Sequence, residues 1–299
     1  MRFYKIVIDG KPIIELNEKN PYAPRITFDF RQFEGNEIPN SIVSVFNVGI
    51  SFLGDLKKFE GKKFELYAGI KNQTILKKAG VSEIKNNLIG YGYIATASAN
   101  PNLGKENQIN FLLRPSSVVS DKVFLLEIEK GDLLKDKLKQ AIQSIYLESI
   151  VEIGGLSIQS KVKEKIKIAG ISDLTPFLVK NKLRIFRTTK GFLICDDNYK
   201  AQGRILNPQD FLEKPSQIRT ATIQLSLHMR GDLQIGSIIT IPAKIFATIP
   251  PQTKFILAKP NSYIQGTYKI IKIWHMGDSR GIGAQSWATN IEAIKEGAL

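Results

Sequence analysis

The sequence predicts a mainly β protein with a smaller α+β part: two barrel-like β domains flanking a mixed middle domain. Three observations predict it. Apolar residues recur with a period of two through the first 115 or so residues and again after Ile205, the pattern of half-buried strands. Between these regions, residues 132–150 switch to apolar spacings of three and four, the pattern of an amphipathic helix. Thirteen prolines and 23 glycines are scattered over 299 residues, as many short strands joined by turns require.

The first domain is expected over residues 1–117. Residues 3–8 and 12–16 flank Asp9-Gly10, a dipeptide suited to a tight hairpin turn. Residues 25–31 alternate strictly, with Ile26, Phe28 and Phe30 on one face. Residues 41–47, 63–69, 92–98 and 108–113 read as further strands. A mixed α+β domain is expected over 118–203. Its helix at 132–150 carries Leu133, Leu134, Leu138, Ala141, Ile142, Ile145 and Tyr146 at spacings of three and four, with Asp132 as N-cap. A strand at 161–168, a short helix at 172–179 capped by Ser172 or Asp173, and a hairpin at 183–195 follow. Strands return over 204–299, at residues 222–228, 236–241, 265–274 and 285–294.

Composition narrows the function. The net charge is +14, but residues 1–120 carry 16 basic and 11 acidic side chains, 121–202 carry 15 and 11, and 203–299 carry 11 and 6. A dedicated nucleic-acid arm concentrates its charge, and this excess is spread evenly. The first ten residues lack the apolar core of a signal peptide, and no run of about 18 apolar residues could form a membrane-spanning helix. The single cysteine, Cys195, excludes an intrachain disulfide and suits a reducing compartment.

Groups able to do chemistry are few. His228 falls on the polar face of an alternating strand. His275 falls at a strand end entering the turn Gly277-Asp278, so a His275–Asp278 acid–base pair is weighed against plain turn chemistry, and the turn is preferred. Cys195 sits in the apolar run Phe192-Leu193-Ile194-Cys195, where a buried inert thiol is expected, and Asp196-Asp197 reads as a hairpin end. Gly281-Ile282-Gly283 lacks a third glycine and runs into a strand, so it fails as a dinucleotide site. No catalytic, cofactor or metal site is expected; a hydrolase or a nucleic-acid-binding β module are the alternatives.

Three stretches taken together resemble the phage tail and baseplate hub proteins, including the Mu-like and late control D-like families. The first runs through residues 39–48 (PNSIVSVFNV), 61–70 (GKKFELYAGI) and 88–94 (LIGYGYI); Phe46 stands where that family often has tyrosine. The second is the hairpin at 182–196 with its preceding helix. The third is 233–241, then 266–278 (GTYKIIKIWHMGD), then 286–293 (SWATNIEA), and it is the most distinctive. Residues 118–170 match poorly. The resemblance implies a homotrimeric ring that adapts a sixfold tail tube to a threefold spike and encloses a channel. It implies as partners the tail tube or distal tail protein, the spike and the tape-measure protein, with non-specific passage of DNA. It further implies assembly in the bacterial host cytoplasm into a virion tail, or a prophage equivalent. On this resemblance His275 and Asp278 shape a turn, and Trp287 is a core or interface anchor.

Overall fold

A computed structural model describes residues 1–35, 41–49, 54–70, 87–100, 107–154, 159–160, 163–248 and 263–298. The N-terminal strands are β1 (Arg2–Ile8), β2 (Lys11–Leu16), β3 (Ile26–Gln32), β4 (Ser41–Phe46), β5 (Lys63–Ile70), β6 (Leu88–Asn100) and β7 (Gln108–Arg114). The middle contains β8 (Val118–Val119), β9 (Phe124–Ile128), α1 (Leu134–Ile145), β10 (Tyr146–Leu147), β11 (Ile150–Gly154), β12 (Glu164–Ile168), α2 (Ile171–Lys180), β13 (Leu183–Arg187) and β14 (Gly191–Asp196). The C-terminal strands are β15 (Ala201–Ile205), β16 (Ser216–Arg219), β17 (Thr222–His228), β18 (Ser237–Phe246), β19 (Tyr263–Asp278) and β20 (Trp287–Lys295).

Alternation in the sequence becomes burial in the strands. In β3, Ile26, Phe28 and Phe30 are buried while Thr27, Asp29 and Arg31 are not. Asp9 and Gly10 both take positive φ, 47° and 76°, as the β1–β2 hairpin demands. The expected strand at 161–168 is β12; residues 161 and 162 lie outside the described residues, as do Pro39 and Asn40 of the first resembling stretch.

Both helix ends differ from expectation. Asp132 does not cap α1, because its carboxylate accepts from the Glu129 N–H and pairs with Lys137 at 3.1 Å; Leu133 occupies the cap position. The helix also stops at Ile145, since Tyr146 and Leu147 leave it to pair with Val119 and Val118. In α2, Ile171 is already helical and Gly170 is the cap residue. Asp173, three positions on, accepts from the Ala169 and Gly170 N–H groups at 2.7 and 3.1 Å.

The principal sheet runs in the order β16-β17-β20-β19-β3-β4-β7-β6-β5-β1-β2, with β18 between β19 and β15. The N- and C-terminal strands therefore share one sheet, joined where β19 pairs antiparallel with β3 from Ile273↔Gln32 to Asp278↔Thr27. This order is open. No described ladder closes it into a barrel, although a single bridge, Ser216↔Thr248, brings the chain just after β18 back to β16.

Buried apolar residues form three clusters. The first fills the N-terminal strands and takes in Met229 and Trp287. The second lies between α1, α2 and the strands of the middle region. The third fills the C-terminal strands. The β13–β14 hairpin reads as a continuous apolar run because both faces are covered. Ile185, Phe192 and Ile194 face the second cluster, while Phe186, Leu193 and Cys195 face the third.

Trp287 crosses from the C-terminal strands into the first cluster. It is 1% exposed, packs edge-on to Phe28 at 5.2 Å and donates its indole N–H to the Gly69 carbonyl at 3.0 Å. Trp287→Ala is expected to cost about 3–5 kcal/mol, in the range of large-to-small core truncations. Chemical denaturation measures this, and a loss under about 1 kcal/mol would show that the indole is not holding the two ends together.

Candidate functional site

The described residue with the most perturbed imidazole is His275, and it stands where the first and third clusters meet. Following one face of β20, Ile291 and Ala293 belong to the third cluster and Trp287 to the first, with Thr289 between them. Along β19, Ile273 belongs to the third cluster, and a Cβ on Gly277 would strike the Phe28 ring of the first. His275 lies between these two positions. Cross-strand pairing aligns His275 with Thr289 on one side and Phe30 on the other. The face therefore runs apolar, polar, apolar, and the polar rung marks the seam.

Hydrogen bonding fixes the state of this rung. Thr289 Oγ1 accepts from the Arg230 N–H at 3.0 Å and donates to the Arg230 carbonyl at 3.1 Å. Its hydroxyl is thereby committed, so at 3.0 Å the His275 Nδ1 must be the donor to it. His275 Nε2 is left as the acceptor facing the Gln32 amide nitrogen at 3.4 Å, and that nitrogen also donates to Thr189. This tautomer is assigned from the network. Burial pushes His275 down from 6.5 to about 4, with Asp232 pulling weakly the other way.

Arg230 anchors the next layer. Its guanidinium grips Asp232 through two bonds of 2.7 Å and reaches Asp210 at 3.7 Å, while Arg204 meets Asp232 at 3.1 Å. Burial alone would raise the Asp232 carboxyl, but the bonds from Arg230 and Arg204 outweigh it and hold it below the ordinary carboxylate value. The Gly231 N–H donates to Asn87 Oδ1 at 2.6 Å, tying this turn to the N-terminal strands. A cavity of about 220 Å³ adjoins the seam, lined by Gln32, Tyr67, Thr189, Lys190, Tyr199 and Asp232 among others. Gln32 Oε1 is buried there and has no protein partner among the described residues.

The arrangement is that of a polar weld. His275 lies three residues inside the end of β19 and does not enter a turn, which corrects the expectation that it shapes one. It also does not pair with Asp278, because residues three apart on a strand face opposite ways. Asp278 instead takes two bonds from Arg25, at 3.0 and 2.7 Å, and accepts from the Arg280 N–H. His228 ends β17 half-buried, lowered by burial, with Nδ1 unpartnered among the described residues. Cys195 lies in the third cluster, where burial pushes its thiol up to about 12. Asp196 accepts from the Asn198 N–H and Asp197 pairs with Arg184 at 2.9 Å, so both serve the hairpin end. Gly281 and Gly283 lie in a turn whose carbonyls accept from Arg2. Among the described residues, no group of three His, Cys, Asp or Glu side chains could hold a metal ion. No described helix is long and apolar enough to cross a membrane.

Sequence reasoning named His275, Asp278 and Trp287 but missed Gln32, Arg230, Asp232 and Thr289. One signal was available: Thr289 is a polar residue on the buried face of an otherwise apolar alternation.

Two outcomes follow from these burials. The folded imidazole binds its proton less readily than the unfolded one, so the stability held by the neutral ring is complete above pH 6.5. It is lost as pH falls through about 4. Denaturation across this window should reveal about 3 kcal/mol of pH-dependent stability that His275→Gln removes. A slope unchanged by the substitution would contradict the buried neutral ring. The Cys195 thiol should react with an aromatic disulfide reagent only at the rate of unfolding; fast native labelling would place it elsewhere.

No protein-family model and no curated protein sequence matches this chain. Solved structures do match its fold. The tail protein of Neisseria meningitidis superposes with a TM-score of 0.55 at 12% identity, covering 99% of this chain and 97% of the other. The 43 kDa tail protein of prophage MuSo2 from Shewanella oneidensis gives 0.56 at 10% identity, with the same coverage of both chains. An Escherichia coli component of the type VI secretion system, described as similar to bacteriophage tail proteins, gives 0.56 at 9% identity, covering 97% of this chain and 76% of the other. Over nearly its whole length, this chain has the fold of phage tail proteins.

Proposed function

We propose that this chain is a structural subunit of a phage tail or phage-like injection machine, forming a homotrimeric baseplate hub ring. Each subunit contributes two barrel-like β units, at 1–117 and 204–299, around a mixed unit at 118–203. Three subunits then present six similar units about the axis, which matches a sixfold tail tube to a threefold spike. The ring encloses the channel through which the tape-measure protein and DNA pass. Its partners are its own copies, the tube or distal tail protein, and the spike. It is assembled in the host cytoplasm and resides in the virion tail or its prophage equivalent. It works through interfaces and not through catalysis.

One observation carries this reading: the likeness to tail proteins extends over the whole chain, including both β-rich ends and the region between them. The β3–β19 ladder supports it further, because a ring subunit bearing two β units must hold them in fixed relation.

A mass measurement in solution combined with negative-stain imaging tests the proposal. The expected result is a ring of three copies whose projection shows six similar lobes. A strict monomer whose two β-rich ends do not superpose would overturn it.

A further inference from the structure

Going beyond the ring reading, we propose that the cavity beside the seam binds a small neutral polyol, a ligand of the monosaccharide class. Three regions of the fold meet at this cavity. Gln32 and Tyr67 line it from the N-terminal strands, Thr189 and Leu193 from the middle region, and Tyr199, Leu233 and Ile235 from the C-terminal part. Its volume, about 220 Å³, falls below the roughly 300–1,000 Å³ of pockets for drug-sized ligands, so a single ring sets the scale of the occupant.

The walls are fixed before any ligand arrives. The Tyr199 ring occupies a slot that two glycines leave open: a Cβ would stand 2.3 Å from the ring at Gly154 and 2.9 Å from it at Gly236. Tyr67 donates its hydroxyl to Glu65 at 3.1 Å, and the Lys5 ammonium lies 5.1 Å from its ring centre. Leu193, Leu233 and Ile235 are buried and add apolar surface. Two aromatic rings and this apolar surface suit the C–H faces of a sugar ring, and their fixed positions lose little entropy on binding.

The polar groups decide which ligand fits. Gln32 is 2% exposed. Its amide nitrogen donates to Thr189 Oγ1 and faces His275 Nε2 at 3.4 Å, while its amide oxygen has no partner among the described residues. A buried acceptor left unpaired costs its desolvation, so the site calls for a donor from outside the chain. That acceptor is a neutral amide. An ammonium brought to it would lose more hydration than one neutral bond returns, whereas a hydroxyl loses little.

The charges lining the cavity also balance. Asp232 is engaged by Arg230 and Arg204. The remaining acid and base, Glu152 and Lys190, are exposed and of opposite sign, so no net charge recruits an ion. Burial and the Glu152 carboxylate push the Tyr199 hydroxyl up, so it stays a neutral donor. Gln234 adds an exposed amide. Donors and acceptors set singly on an aromatic and apolar frame fit a ligand with several hydroxyls, each able to donate and to accept.

Saturation-transfer NMR on the full chain tests this, with glucose, galactose, mannose and inositol as the probes and alanine as a zwitterionic control. At least one polyol should receive saturation at its ring protons, with a dissociation constant on the order of 1 mM. Gln234→Trp fills the cavity from an exposed position and should abolish the transfer while leaving the circular dichroism unchanged. Gln32→Leu removes the buried acceptor and should weaken binding by about tenfold or more. If that variant does not fold, Gln234→Trp alone decides. No transfer to any polyol, transfer that Gln234→Trp leaves unchanged, or transfer to alanine in place of the polyols would each overturn the assignment. None of these outcomes depends on the mass of the particle, so the ring reading is tested separately.

Discussion

The structure depends on the antiparallel ladder between β3 and β19. Six residue pairs, from Ile273↔Gln32 to Asp278↔Thr27, join strands from opposite ends of the chain. Without this ladder the principal sheet becomes two sheets, each with a bare edge. β3 also continues past Gln32 into contact with the middle region. The Gly35 N–H donates to the Ile185 carbonyl, the Arg187 N–H to the Phe33 carbonyl, and Glu34 bridges to Phe186. One strand and its extension therefore touch all three apolar clusters, so the three regions are tied by backbone bonds as well as by side chains.

That role explains why the seam is polar. A face shared by two cores could be apolar throughout, and burying His275, Gln32 and Arg230 instead brings desolvation that hydrogen bonding offsets at every seam group but Gln32 Oε1, which is unpartnered among the described residues. What the polar rung supplies is register. Slipping β19 by one residue against β3 or β20 would turn His275 outward and leave Thr289 and Gln32 without it. An apolar rung would tolerate such a slip more readily. His275 was therefore misassigned when read as the start of a turn. The dipeptide Gly277-Asp278 is turn-like in isolation, but Gly277 is there because the Phe28 ring leaves no room for a Cβ.

Much of the fold was legible because alternation and burial coincide wherever a strand has one wet face. β3 and β7 emerge from their sequences almost to the residue. Legibility fails for three physical reasons. β19 carries a bulge at Ile271, between the pairs Ile270↔Ala293 and Lys272↔Glu292, so its buried positions change parity and the alternation breaks. Short strands such as β8 and β10 are defined by their partners and leave no periodic trace of their own. The seam residues were hidden because Gln32, Arg230 and Thr289 are ordinary polar residues until a fold places them between two cores. Of the residues considered for chemistry, Cys195 lies as expected in an apolar cluster, and Asp278 serves a turn through Arg25.

The β3–β19 ladder also sets an order of events during synthesis. β3 leaves the ribosome more than two hundred residues before its partner, and the first apolar cluster waits equally long for Met229 and Trp287. Until then the nascent chain has an open strand edge and an unfinished core, the condition most prone to wrong pairing. The N-terminal part thus cannot complete its core alone, and that core waits for Trp287 at the start of β20. Until β19 emerges, the β3 edge of a half-made chain stays uncovered.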